Sequence, residues 1–342
     1  KWMVSWMSRE YPLGKYDLCA SFIERGLLMA ANRGYSSMIT MQSWMTIPSA
    51  LGLRKVILSK STIASLALLG AHAFNSISGE VVATSAFSLV NKARVTGFHG
   101  RYFDLSEGKN EKEKQQLFKE QYPGKRVCQD TFAIVEGSPI IPDFTDEVAD
   151  IFAKTRPLGD VAFSKPGMQT SDNDRFLRSW HEVNHAKIGF ALSHESATKS
   201  AYKWFPYNKG DGFRKWYGNN YRVLNYAQDG EELKYWITHN PKDPTTTSWS
   251  RNLRNYDYYF VEGITYSAIG SDYSARLNGA GFLFDTKGPT IFCNESKSLV
   301  CSYVNSSMFN FFNRMLTRQL TKSSASINNV PWINPARELS SR

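Results

Sequence analysis

Cysteine is scarce: Cys19, Cys128, Cys293 and Cys301 are all that 342 residues contain. They form no Cys-x-x-Cys pair and no zinc spacing, so neither a disulfide framework nor a thiolate-held metal is expected, and a reduced, cytoplasmic protein is the default. Long apolar runs are also missing. The stretch Leu66 to Ala73 is far short of the roughly 18 residues of a spanning helix and is interrupted by His72, so a soluble chain is expected and no membrane partner. Acids are outnumbered, with 31 Asp and Glu against 41 Lys and Arg. The resulting net charge of +10 and pI near 9.3 call for an acidic partner, of which nucleic acid is the commonest. Asn294-Glu295-Ser296 and Asn305-Ser306-Ser307 match glycosylation acceptors, but no signal peptide precedes them and both are read as chance. The chain begins at Lys1 rather than Met, from which a piece of a longer polypeptide is expected.

What is present is a globular composition, 42% hydrophobic, sufficient for two domains. Leu18, Phe22, Ile23 and Met29 recur at helical intervals between Tyr16 and Ala31, with Gly34 in the C-cap place. Residues 35–41 read as a short buried strand, 51–60 as a helix, 62–69 as a second strand and 80–91 as a third, the rhythm of an α/β sheet. A mixed-charge run from Leu105 to Pro123 reads as a solvated helix or connector. Beyond it, Ile134, Val135, Ile140, Ile141 and Phe144 are expected in a strand and turn leading into a helix at Asp146 to Ala153.

Lys199 to Tyr226 carries six basic residues (Lys199, Lys203, Lys209, Arg214, Lys215, Arg222) against the single acid Asp211, threaded between nine aromatic ones. Cations at that density suit phosphates, while Trp204, Tyr207, Trp216 and Tyr217 offer flat faces for bases or sugars. The alternative is a solvated loop whose aromatics belong to the core. A Gly-, Thr- and Asn-rich turn at 167–173 beside Arg175 and Arg178 reads either as a phosphate seat or as a loop whose Asp172 and Asp174 pair those arginines. His181-Glu182-Val183-Asn184-His185 matches the zinc-peptidase string H-E-x-x-H, but Ile188 stands where the longer motif has glycine, and no metal is expected. A nuclease has less support still, since Pro142-Asp143 has no Glu-x-Lys close behind it.

Several separated runs carry a resemblance. They are Gly14-Lys15-Tyr16-Asp17-Leu18 with Phe22 to Gly26, then Gly34-Tyr35 and Met38 to Met45, then Ala67 to Phe74, and Gly79 to Thr84. In this order they resemble the PglX-like adenine methyltransferases of BREX phage-defence systems. More broadly they are similar to the amino-methyltransferases that modify adenine N6 in DNA. Lys203 to Tyr207 and Phe213 to Gly218 continue the likeness, which is weakest between about Arg101 and Cys128.

The resemblance implies the back half of a Rossmann-like methyltransferase sheet over 1–105, a connector over 106–157 and an α+β target-recognition domain over 158–342. Relatives hold S-adenosylmethionine on a Gly-rich loop and the extruded adenine in an Asn-Pro-Pro-Tyr loop, whose Asn and Pro accept from the amino group while Tyr stacks on the base. Neither loop occurs here. Gly279-Ala280-Gly281 and Asn334-Pro335-Ala336 lack the spacing, so this chain alone is expected to bind neither cofactor nor target adenine productively. Phe74 matches the aromatic that packs on the far face of the flipped base, or is a core residue. Duplex DNA is the implied partner, bound by Arg175, Arg178, Lys203, Trp204, Tyr207, Lys209, Arg214, Lys215, Trp216 and Arg222. A separate N-terminal catalytic part and other BREX components would complete the assembly. Ser326 to Pro331 is expected as a closing strand, preceded by an amphipathic helix at Met308 to Gln319 with Arg314 and Arg318.

Overall fold

A first helix, α1 (Trp2–Glu10), leads to α2 (Leu18–Met29), which begins where the Asp17 carboxylate accepts the Cys19 N–H at 2.8 Å. Glu24 reaches back to accept the Leu13 and Gly14 N–H groups, at 3.1 and 2.9 Å. Gly14 passes so close to the helix that a Cβ there would lie 2.4 Å from the Ser21 nitrogen. Ala20, Ile23 and Leu27 form the buried stripe of α2, whereas Leu18, Phe22, Leu28 and Met29 are exposed. The helix ends at Ala30, and Arg33 rather than Gly34 takes the left-handed conformation (φ 59°). The computed structural model describes residues 2–74, 82–270, 272–317 and 322–334. The chain falls into two compact units, Lys1–Lys154 and Thr155–Arg342.

In the first unit, β1 (Tyr35–Met41), α3 (Leu51–Lys60), β2 (Thr62–Gly70) and β3 (Thr84–Val90) occupy the places the apolar runs predict. Gly79, Glu80 and Val81 lie outside the described residues. β4 (His99–Asp104), α4 (Glu111–Gln121) and β5 (Lys125–Cys128) follow, giving a mixed sheet of order β1-β3-β2-β4-β5. β3 runs antiparallel to both β1 and β2, β2 and β4 are parallel, and β5 is antiparallel to β4. β1 pairs with β3 alone among the described residues, and Tyr35, Ile39 and Met41 along it are exposed.

The charged run read as a solvated connector turns one cation inward. Lys114 of α4 is 5% exposed and donates to the carbonyls of Leu69, Leu105 and Gly108. The strand expected across 134–141 does not form. Gly137 and Ser138 have positive φ (83° and 45°), and Pro139 and Pro142 cannot donate to a ladder. Ile140, Ile141 and Phe144 are buried in loop structure before α5 (Asp146–Lys154).

The second unit holds two four-stranded sheets. β6 (Ala162–Lys165), β10 (Gly263–Tyr266), β11 (Ala275–Asn278) and β13 (Thr290–Cys293) form one, in the order β11-β10-β13-β6. β7 (Leu177–Ser179), β8 (Trp204–Asn208), β9 (Arg222–Asn225) and β12 (Leu283–Phe284) form the other, in the order β12-β8-β9-β7. β12 and β13, close neighbours in sequence, thus belong to different sheets. Phe176, Phe205, Tyr226, Tyr259, Phe260 and Phe284 centre an aromatic core. Around it pack α6 (Asn173–Phe176), α7 (His194–Lys199) and α8 (Ala227–Thr238), while α9 (Lys297–Val304) packs on β10 and β11 and α10 (Ser307–Leu316) on α9. α10 is amphipathic as predicted, burying Phe309, Phe312 and Met315; Arg318 and Gln319 lie outside the described residues. The closing strand is instead α11 (Ser324–Asn328), because the Ser323 hydroxyl accepts the Ser326 N–H at 3.1 Å and starts a helical turn.

Gln228, Asp229 and Gly230 at the start of α8 are all left-handed (φ 51°, 58° and 70°). They bring the Asp229 carboxylate to His194 Nε2 at 3.0 Å, Tyr226 OH at 3.2 Å, Lys234 Nζ and the Tyr256 hydroxyl. Burial pushes its pKa up, but the bonds from Lys234, Tyr256 and His194 together outweigh burial and hold the carboxyl below the usual range. As pH falls, the unfolded chain takes up this proton first, so the stability Asp229 adds is present above about pH 4 and is lost below it. Unfolding midpoints followed downward from neutral pH should therefore fall in acid. Asp229→Asn should flatten that fall, and an unchanged acid slope would remove Asp229 as its source.

Candidate nucleic-acid interface

β8 and β9 pair antiparallel, from Trp204 opposite Asn225 to Tyr207 opposite Arg222, and the basic and aromatic stretch forms the connection between them. Five of its residues have positive φ: Gly210 at 96°, Asp211 at 53°, Trp216 at 73°, Gly218 at 119° and Asn219 at 60°. Such a path persists only where its surroundings over-determine it. Here the Gly210 carbonyl accepts from Ser267 Oγ at 2.8 Å, Asn219 Nδ2 at 3.1 Å and Arg276 Nη2 at 3.1 Å. Arg276, 1% exposed on β11, also donates to the Arg214 carbonyl at 3.0 Å. Trp216 joins β11 through its own backbone, donating to Ala275 O and accepting from Leu277 N, each at 2.9 Å. The tip is thus fixed while Phe213, Trp216 and Tyr217 remain 63%, 53% and 74% exposed.

The cations and rings expected at DNA divide into groups. Lys203 is exposed, its ammonium over the Trp204 ring at 5.6 Å, and Trp204 itself is half-buried. Arg214 is exposed and meets no carboxylate among the described residues; a Cβ at Gly218 would lie 2.5 Å from its Cδ, so the side chain lies along that glycine. Lys215 donates to the Asn305 carbonyl at 2.8 Å and keeps its charge. Arg178 likewise donates to the carbonyls of Asp174 and Leu177, both at 2.6 Å. None of these four forms an ion pair among the described residues.

The others are engaged inside the protein. Tyr207 is fully buried and donates to Asp285 at 2.6 Å, so its ring has no face to offer a base. Lys209 binds the same buried carboxylate at 2.6 Å and Asn173 Oδ1 at 3.1 Å. Arg175 pairs with Glu232 at 2.9 Å with its guanidinium over Trp236, and that pairing holds Glu232 below the ordinary carboxylate pKa. Arg222 lies 3.6 Å from Asp211. Asp172 accepts the Arg175 N–H at 3.1 Å as the cap of α6, a role neither reading of the 167–173 turn foresees. Arg178, Lys209 and Arg222 do converge on one open cavity of about 380 Å³, but Asp174 and Glu182 share its lining.

His181 and His185 stand on two separate 3-10 turns, Trp180–Glu182 and His185–Lys187, rather than one turn apart on an α-helix. Glu182 is spent accepting the Ser179 N–H at 2.5 Å. In the first unit Phe74 is 38% exposed, four residues beyond the end of β2. Arg276, Ser267 and Asn219, which build the loop, carry no signal in the sequence: Ala275 and Arg276 are both buried, so β11 shows no alternation to read.

Of the two glycine- and proline-bearing candidates for cofactor or base loops, the one that can be followed does not form an open cradle among the described residues. Gly279-Ala280-Gly281 is the turn between β11 and β12, and a Cβ on Gly281 would lie 2.5 Å from the Ala191 nitrogen, so this glycine serves chain packing rather than an open cradle. Pro335 and Ala336 of the other candidate lie outside the described residues. No helix among the described residues is long and apolar enough to cross a membrane.

Comparison with known proteins agrees with the resemblance. Residues 5–74 match the Eco57I restriction-modification methylase family. The chain is 36% identical over 97% of its length to the adenine-specific methyltransferase PglX of Lacticaseibacillus casei (strain Zhang), spanning 28% of that protein. It is 32% identical over 95% of its length to the adenine-specific methyltransferase BrxX of Escherichia coli O9:H4 (strain HS), spanning 26%. Among solved structures it is similar to the Type IIL restriction-modification enzyme MmeI in complex with DNA, with a TM-score of 0.55 at 12% identity over 94% of this chain and 42% of that one.

Proposed function

We propose that this chain, homologous along almost its whole length to a segment of the adenine-specific methyltransferases PglX and BrxX, is the DNA-binding portion of such an enzyme. The parent would be an S-adenosylmethionine-dependent DNA adenine-N6 methyltransferase of a BREX or restriction-modification phage-defence system, acting in the cytoplasm. By itself the chain grips duplex DNA and transfers no methyl group. The observation that carries this reading is the fixed loop of the second unit, with exposed rings and an Arg214 that meets no carboxylate among the described residues, on a chain of net charge +10.

The first unit supports the other half of the reading. β1 and β2 run parallel on either side of antiparallel β3, a mixed sheet that is compatible with the back half of a larger methyltransferase sheet. The edge of β1, unpaired among the described residues, and the exposed apolar residues of α2 would be covered by the front half. A catalytic polypeptide supplying the Gly-rich and Asn-Pro-Pro-Tyr loops in cis makes this chain part of one enzyme; supplied in trans, it makes the chain a separable specificity module. Co-expression with the upstream segment of a PglX-type protein, joined or separate, tests both. Adenine methylation should appear when that segment is added, and its absence in both arrangements would count against the sheet-completing role of the first unit.

A further inference from the structure

We propose that the Gly210–Gly218 loop is a preformed wedge that inserts an aromatic ring into a base step of the duplex, an inference that rests on the DNA-binding reading above. Phe213 and Tyr217, 63% and 74% exposed, are the rings the loop leaves most in water, ahead of Trp216 at 53%. Exposure alone would mark any sticky surface, but this loop is not a slack one. Asp211, Trp216 and Asn219 are non-glycine residues held left-handed, each a strain that the fold must offset. Buried Arg276, with Ser267 and Asn219, offsets it by occupying the inward carbonyls of Gly210, Gly212 and Arg214. Rings presented on a fixed backbone lose little entropy when they are buried by a partner, which is what insertion between stacked bases requires.

Charge selects the kind of partner. Arg214, between the two rings in sequence, is laid along Gly218 with no carboxylate to neutralise it among the described residues, and Lys215 beside it keeps its charge on a carbonyl. A protein partner would need an acidic rim around an aromatic slot. Duplex DNA supplies a phosphate on each side of every base step, the alternation of anion and flat apolar gap that a cation between two rings matches.

Competition binding of an intact duplex and the same duplex with a one-nucleotide gap tests the wedge, because the gap removes the unstacking cost. The chain should bind the gapped duplex about tenfold more tightly. Phe213→Ala combined with Tyr217→Ala should bring the ratio to about one and leave the salt dependence intact, and both rings are exposed enough for the variant to fold. Tyr217→Phe should keep the preference, since the ring and not its hydroxyl is the wedge. Equal affinity of the wild type for the two duplexes, or an unchanged preference in the double variant, would overturn the proposal while leaving DNA binding in place. Retention of neither duplex in dilute salt would instead remove the DNA reading beneath it.

Discussion

Raising salt from roughly 50 mM to roughly 200 mM should weaken binding of this chain to duplex DNA by about a hundredfold. Each phosphate neutralised releases condensed counterions, so the logarithm of the affinity falls with that of salt by about 0.9 per contact. Lys203, Arg214, Lys215 and Arg178 form no ion pair among the described residues, and four contacts give a slope near −3.6 (about 0.9 for each). Replacing Lys203 and Arg214 together by alanine should flatten the slope by about 1.8. Lys209→Ala should leave it where it was, because the buried Asp285 carboxylate already cancels that ammonium. Equilibrium titrations across a salt series check both statements. A slope indifferent to Lys203 and Arg214 would take those residues out of the interface, and one that responds to Lys209 would mean the Asp285 pair opens on binding.

Arg54→Ala is expected to destabilise the first unit by about 3–5 kcal/mol, a large part of the stability of an ordinary domain. Arg54 sits on α3 at 1% exposure and finds carbonyls rather than a carboxylate. Nη1 donates to Trp44 O at 2.9 Å and Ile47 O at 2.7 Å, Nη2 to Gly137 O at 2.7 Å, and Nε to Gly137 O and Ser138 O at 3.2 Å each. Burial pushes its pKa down to about 10, so it is charged at neutral pH. Its removal would leave buried acceptors unpaired and a void behind them. Arg54→Lys, which keeps the charge but cannot reach both segments at once, should fall between wild type and alanine. Urea unfolding reads the difference, and a midpoint unmoved in Arg54→Ala would show that the 44–47 and 137–138 segments are held by something else.

Much of the first unit is readable in the chain because its elements are local. Thr62 to Gly70 is a short, mostly apolar run closed by a glycine, and the helix at Leu51–Lys60 falls between it and the strand at Tyr35–Met41. Errors arise where a side chain answers to a distant backbone group. Lys114 stands in a charge run that looks solvated, and only the carbonyl ends of neighbouring segments make its burial worthwhile. Tyr207 lies among cations and rings and reads as a base-stacking residue, but β8 is buried on both faces and Asp285, far along the chain, receives its hydroxyl. Ser326 to Pro331 carries β-compatible residues, yet one serine cap turns the segment into a helix.

The basic and aromatic stretch shows the same division. Its exposed part, Phe213 to Tyr217, is legible from turn chemistry and composition, whereas the buried Arg276 that shapes it belongs to a strand some sixty residues later. H-E-x-x-H fails for a related reason: the string fixes sequence spacing, and only a continuous α-helix, which His181 to His185 is not, would convert that spacing into a pair of ligands.

The central claim is tested most directly by incubating the purified chain with duplex DNA and S-adenosylmethionine bearing a labelled methyl group, and reading retention and label on the same DNA. Saturable retention in dilute salt with no label transferred is the result expected of a DNA grip without a cofactor site. Label on adenine from this chain alone, or duplex that is never retained, would contradict it.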